Sequence, residues 1–186
     1  MTEQGLPRSE AANRGYRWPV VVTQSIAAPT GDVWGAISMP SNLESCHPFC
    51  ARNPVQRWPG EGSLDEVHYL NGRIFERRFC RWIDGIGYDL EIGRRGGRSS
   101  FVVWRVLARA GQHCALRIVV YPHALKEAPV SIQWLTHMLY VRPLLKKYLS
   151  SVTRGFEWYV TCGEPVPRNQ FGAHPWFSDL KSRSAT

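Results

Sequence analysis

Long apolar runs are missing from this 186-residue chain. None approaches the roughly 20 residues that a membrane-spanning helix requires, so no span is expected. The opening stretch MTEQGLPRSEAANRG lacks the apolar core of a secretory signal, and a cytoplasmic location is the expectation. Cysteine is scarce and odd in number: Cys46, Cys50, Cys80, Cys114 and Cys162. Scattered thiols without a secretory signal argue against a disulfide framework. Zinc-finger spacing, an RNA-binding aromatic motif and an uninterrupted basic run are also missing. The net charge of +8 therefore reads as a solvated basic surface, or one suited to an anionic membrane, with no nucleic-acid partner expected. No cofactor is expected either.

What the chain does have is apolar and aromatic bulk. Hydrophobic residues make up 44%, charged residues 20% and aromatics 12%, with eight tryptophans, enough for one domain with a real core. Large rings of this kind build cores or line apolar pockets.

Residues 1–17 are polar and aperiodic and predict a flexible arm. Trp18–Ala27 is rich in β-branched residues and predicts a strand that Pro29 breaks. Thr30 is a candidate cap for a short helix with Val33, Trp34 and Ile37 on one face. Ser41 is a candidate cap for a second, Asn42–Cys46, which His47-Pro48 stops. Strand patterns then follow at Val55–Trp58, Asp65–Leu70, Arg73–Ile83, Tyr88–Ile92, Arg98–Ala108 and His113–Tyr121. The turns between them include Pro59-Gly60, Asn71-Gly72 and Asp84-Gly85. Strands joined by short turns predict an antiparallel meander.

Val130–Val141 predicts a short helix that is apolar on most sides. Pro143 then opens a further helix or kinks a continuous one. From there Leu145, Leu149, Val152, Phe156, Tyr159 and Val160 make an amphipathic stripe, closed by Gly163 and Pro165. The last segment, 164–186, is punctuated by Pro and Gly but carries Phe171, Trp176 and Phe177. These predict a partly docked tail with loose final residues.

The order is strand, two short helices, six strands, long helix. With the motifs VVVTQSIAAPTGDVWGAIS, FERRFCRWIDGIGYDLEI and RGFEWYV, it resembles the START/Bet v-like (SRPBCC) superfamily and its polyketide cyclase/dehydrase-like branch, over residues 18–163. The resemblance implies an α+β helix-grip fold: a curved antiparallel sheet of about seven strands wrapped on a long C-terminal helix around an apolar cavity. Two stretches depart from the family pattern. One is a lid-like insertion at 124–143 and the other is the tail, and both fall where the cavity mouth is expected.

Cys46-His47-Pro48-Phe49-Cys50 has the look of a metal cluster. A zinc site needs about four ligands, and the other cysteines are not paired at metal spacing, so no metal is expected. A buried thiol and a helix-ending His fit better, and no acid partner or nucleophile elbow supports catalysis by these cysteines. His68, Tyr69, Tyr121 and His123 lie in or beside strands, where an imidazole or phenol facing an apolar pocket could orient a carbonyl or hydroxyl. Glu76, Arg78, Cys80 and Trp82 share one face of a strand, and Phe75, Arg77, Phe79, Arg81 and Ile83 share the other. Both faces are mixed, so the pattern leaves open which points inward. An inward Glu76–Arg78 pair would anchor a polar ligand head, and an outward one would be a surface ladder. Trp82, Trp104, Trp134, Phe156 and Tyr159 complete the candidate ligand-binding set as core or pocket walls. Trp134, Leu135, Met138, Leu139 and Tyr140, followed by Arg142, Lys146 and Lys147, predict a lid or a peripheral membrane contact through 130–147.

Three functions follow. The first is binding or transport of a hydrophobic small molecule, lipid or polyketide-like. The second is a cyclase or dehydratase-like enzyme. The third is a protein-interaction module, with the chain a monomer or a homodimer.

Overall fold

A computed structural model describes residues 15–123 and 130–179. In β1 (Val20–Ile26), Val20, Val22 and Ile26 point inward and Val21 and Thr23 outward, the alternation that a pleated strand imposes. Pro29 ends the strand. Its carbonyl accepts from the Asp32 and Val33 amides, so Thr30, expected as the cap, is instead the first residue of α1 (Thr30–Ser38). α1 buries Val33, Ala36 and Ile37, and α2 (Asn42–Cys46) buries Asn42, Leu43 and Cys46.

Seven further strands follow: β2 (Cys50–Arg52), β3 (Val55–Arg57), β4 (Leu64–Tyr69), β5 (Ile74–Ile83), β6 (Gly87–Gly93), β7 (Ser99–Ala108) and β8 (Cys114–Tyr121). They form one antiparallel sheet in the order β1-β8-β7-β6-β5-β4-β2, with β3 also beside β4. The eighth strand, not foreseen, is β2. It is three residues long, too short to show an alternation, and is held by pairing Cys50 to Tyr69.

α3 (Val130–Thr136), a π-helical turn (His137–Val141) and α4 (Arg142–Cys162) run end to end. The helix is therefore continuous through Pro143. Proline removes one i→i−4 bond and crowds the carbonyl a turn earlier, and the widened turn just before it makes room for the ring. α4 lays Leu145, Leu149, Val152 and Phe156 on the sheet and short helices, and leaves Lys146, Lys147 and Arg154 in solvent. Gly155 sits where a Cβ would overlap the Cys46 carbonyl oxygen, so the close approach of α4 to α2 depends on that glycine. The expected α+β helix-grip fold is what the chain adopts.

Two details decide which side chains face the helix. In β4, Asp65, Val67 and Tyr69 are buried on the inner face, while Glu66 and His68 alternate to the outer one. In β5 the register against β6 slips between Phe79 and Arg81. That extra residue brings Trp82 to the same side as Phe75, Arg77 and Phe79, and leaves Glu76 and Arg78 outside.

On the far face of the sheet Phe101, Val103, Val119 and Tyr121 form a separate small cluster under Tyr16, whose hydroxyl donates to the Ser99 carbonyl at 2.9 Å. Tyr16, within the expected arm, is thus packed down; residues 1–14 lie outside the described residues. The tail is docked as far as 179. The Val166 amide donates to Ser45 O, the Asn169 amide to Pro48 O, and Asn71 Nδ2 to Trp176 O. Of the expected lid, 124–129 lie outside the described residues and the rest is helix. The tail's final residues, 180–186, also lie outside.

Candidate functional site

Between the inner face of the sheet, α4 and the tail lies a cavity of about 440 Å3. Its walls are Val67, Leu90, Val102, Trp104, Ile118 and Val120 from the sheet, Leu145, Leu149 and Val152 from α4, and Trp176 and Phe177 from the tail. The tail therefore forms a wall and does not fill the space. Phe177 stacks on Tyr69 at 4.3 Å between ring centres and lies 4.5 Å from Tyr148. Arg73, Ser100, His123, Thr136 and Tyr140 also line the cavity and are at least partly open to solvent, which marks the mouth.

One wall is polar. The Phe49 amide donates to Nδ1 of His47 at 3.2 Å. Nε2 of His47 lies 2.9 Å from the Tyr148 hydroxyl, which lies 3.0 Å from the Tyr69 hydroxyl. The Pro48 break after α2 turns His47 inward, the alternation of β4 points Tyr69 inward, and Tyr148 comes from α4. Burial first, and the Arg77 guanidinium second, lower the His47 pKa from 6.5 to about 3, so the imidazole is neutral. Burial raises both phenols, which keeps them protonated.

Arg77 also lines the cavity and is itself buried. Its Nε donates to Asp65 Oδ1 at 2.7 Å, Nη2 donates to the other carboxylate oxygen, and Nη2 reaches Asn42 Oδ1 at 3.4 Å. Burial alone would lower the Arg77 pKa, but the Asp65 carboxylate outweighs it and holds the guanidinium charged. The pair thus brings no net charge to the wall.

The sequence candidates divide among several places. Trp104 is in the cavity wall, and His123 is at the mouth with Nδ1 2.9 Å from Ser100 Oγ. Phe156 lies behind Trp104, ring centres 5.2 Å apart, and Trp82 packs among Trp34, Trp58 and Tyr88 at the filled end. Tyr159 packs against the core without reaching the cavity, and Trp134 is 51% exposed outside it.

The other four are corrected to the outer face of the sheet. His68 pairs with Glu66 at 2.9 Å, because it alternates with Tyr69. Glu76 and Arg78 pair with each other at 2.8 Å, with Arg78 largely in solvent, so they do not anchor a ligand head. Tyr121 belongs to the far-side cluster. The residues that sequence reasoning did not place in the site are His47, Arg77, Tyr148, Trp176 and Phe177. Cys46 and Cys50 are buried, and burial raises both thiols, Cys50 to about 12. Among the described residues no three His, Cys, Asp or Glu side chains gather as a metal site.

Fold and cavity together define a helix-grip protein with a hollow interior. No protein-family model matches the sequence, and no curated protein matches it either. Solved structures do match. DynU16, from a dynemicin biosynthetic locus, aligns at 18% identity and a TM-score of 0.61 over 79% of this chain and 48% of that one, so the chain spans about half its length. Ara h 8.0201 aligns at 15% identity and a TM-score of 0.58, covering 78% of this chain and 98% of that one. A START superfamily protein from Mycobacterium smegmatis aligns at 11% identity and a TM-score of 0.60, covering 76% and 96%. At such identities the likeness is one of fold.

Proposed function

We propose that the protein binds a hydrophobic small molecule, lipid or polyketide-like, in the cavity between sheet and helix. The observation that carries this reading is the open volume of about 440 Å3, kept free although, among the described residues, 35 apolar ones are buried elsewhere and around it. The volume lies within the usual range for ligand pockets, roughly 300–1,000 Å3, and burying apolar ligand surface contributes about 25 cal/mol per Å2. Native mass spectrometry of the full chain, with titration of an apolar fluorescent probe, tests it. A retained adduct or saturable one-to-one probe binding is expected. A bare mass together with no saturable binding would remove the reading.

A contact with an anionic membrane accompanies it. Trp134, Leu135 and Tyr140 are each at least half exposed and Leu139 is 71% exposed, beside the cavity mouth. Arg142, Lys146 and Lys147 follow in solvent. Such a surface suits transfer of an apolar ligand from an anionic bilayer. Co-sedimentation with phosphatidylserine vesicles, lost in Leu139→Glu and in pure phosphatidylcholine, is the expected result. A homodimer in light scattering that Leu139→Glu dissociates would assign the patch to a second copy instead. Among the described residues no helix is long and apolar enough to cross a membrane.

An enzymatic reading is favoured by the buried His47–Tyr148–Tyr69 array. A norcoclaurine synthase from Thalictrum flavum, similar in fold at 10% identity with a TM-score of 0.53, has been solved with a transition-state analogue. Turnover of a carbonyl substrate that is lost in Tyr69→Phe/Tyr148→Phe would establish catalysis here.

A further inference from the structure

Hydrogens can be counted along the polar wall of the cavity. Nδ1 of His47 accepts the Phe49 amide, so the single hydrogen of the neutral ring is on Nε2 and is donated to Tyr148 Oη. Tyr148 and Tyr69 carry one hydroxyl hydrogen each and share one hydrogen bond. Three hydrogens thus serve two bonds, and one phenolic O–H is left over whichever tyrosine donates to the other. Tyr69 and Tyr148 both line the cavity. A buried donor without an acceptor costs as much as a lost hydrogen bond, so the site is completed by an oxygen from what occupies the cavity.

The charge of that oxygen follows from its surroundings. Asp65 and Arg77 neutralise one another, and the imidazole and both phenols are uncharged. An anion placed against the tyrosines would be buried without a counter-charge, which is costly. The charged residue with open surface, Arg73, is at the mouth.

We propose that the ligand carries a neutral carbonyl, a ketone or an ester, and that the surplus hydroxyl of the Tyr69–Tyr148 pair donates to it. This rests on the ligand-binding reading above and narrows its chemistry. Any acidic group of the ligand is left at the mouth by Arg73.

Calorimetric titration of the full chain with acetylnaphthalene, ethylnaphthalene and naphthoate separates the two claims. The hydrocarbon reports the cavity; the ketone-to-hydrocarbon ratio reports the donor. The ketone is expected to bind about tenfold tighter than ethylnaphthalene, and naphthoate more weakly than the ketone. The carbonyl stretch of the bound ketone is expected at lower frequency than in hydrocarbon solvent. In Tyr69→Phe the hydroxyl of Tyr148 becomes the free donor, so part of the preference persists. In Tyr69→Phe/Tyr148→Phe the ratio falls to about one and the carbonyl shift disappears. Equal binding of ketone and hydrocarbon to the unaltered protein, or a preference that survives in the double variant, overturns the inference and leaves the cavity reading standing. If no probe binds, the cavity reading falls and this one with it.

Discussion

The space between sheet and helix is closed at one end and hollow at the other, although rings of the same kinds line both. At the closed end Trp34, Trp58, Phe79, Trp82 and Tyr88 meet ring against ring, with centres 4.9 to 5.8 Å apart. Three of them spend their polar atoms internally: Trp58 Nε1 donates to Ser38 O, Tyr88 to Ile37 O and Trp82 Nε1 to Asp84. At the hollow end Tyr69, Tyr148 and Phe177 pack on one another along one side, and the side facing Val102, Ile118 and Val120 is open. There the donor count has a remainder. Aromatic content alone does not separate core from pocket. The opposing ring and the balance of donors against acceptors do.

The largest effects are expected at the closed end and along the boundary. Arg77→Met strands the Asp65 carboxylate and should cost about 3–5 kcal/mol in urea unfolding, with much of it restored in Asp65→Leu/Arg77→Met. A small loss in the single variant would show that the boundary is wetter than the geometry indicates. Phe79→Ala should cost about 4 kcal/mol because its neighbours cannot close over the gap, whereas Phe177→Ala, which widens an existing space, should cost no more than about 2 kcal/mol. Equal losses would erase the distinction between the two ends. Gly155→Ala forces α4 away from Cys46 and should cost about 2 kcal/mol without altering probe selectivity.

The most gradual effect is that of pH. The unfolded chain protonates His47 below about pH 6.5, and the folded one not until about pH 3. Stability from this group is therefore full above the first value and falls as pH drops between them, by at most about 1.4 kcal/mol per pH unit. Burial lowers His174 and His137 in the same direction, and Glu157, raised by burial, opposes them. Thermal unfolding at several pH values should show the decline, with a shallower slope in His47→Asn. An unchanged slope would mean that His47 is charged or solvated.

The helix-grip order was readable because each element carries its own signal. Pro29 and Pro122 end strands, Asn71-Gly72 and Asp84-Gly85 turn them, and the stripe from Leu145 to Phe156 has one apolar face. The inner face of β5 was not readable, because a bulge of one residue moves Trp82 across while Glu76 and Arg78 stay out, and both faces mix charge with aromatics. His68 and Tyr69 could not both point inward, since neighbours on a strand alternate, but only the fold shows which one does. Arg77 was left open as inward or outward because nothing local announces Asp65, twelve residues earlier, as its partner. Tyr148 lies within the apolar side of α4 and shows no polar role until His47 and Tyr69 stand beside it. The position of the tail as a wall was not legible, because that depends on Phe177 finding Tyr69 across the chain.

The most direct test is to fill the hollow end. Val120 and Val102 line the cavity from neighbouring strands. Val120→Phe and Val102→Phe should leave the melting temperature unchanged or raised and weaken apolar-probe binding by at least about tenfold, since added methylenes in a true void meet no clash. A loss of about 1–3 kcal/mol in stability with probe binding intact would mean that this end is already packed and that the ligand site is elsewhere.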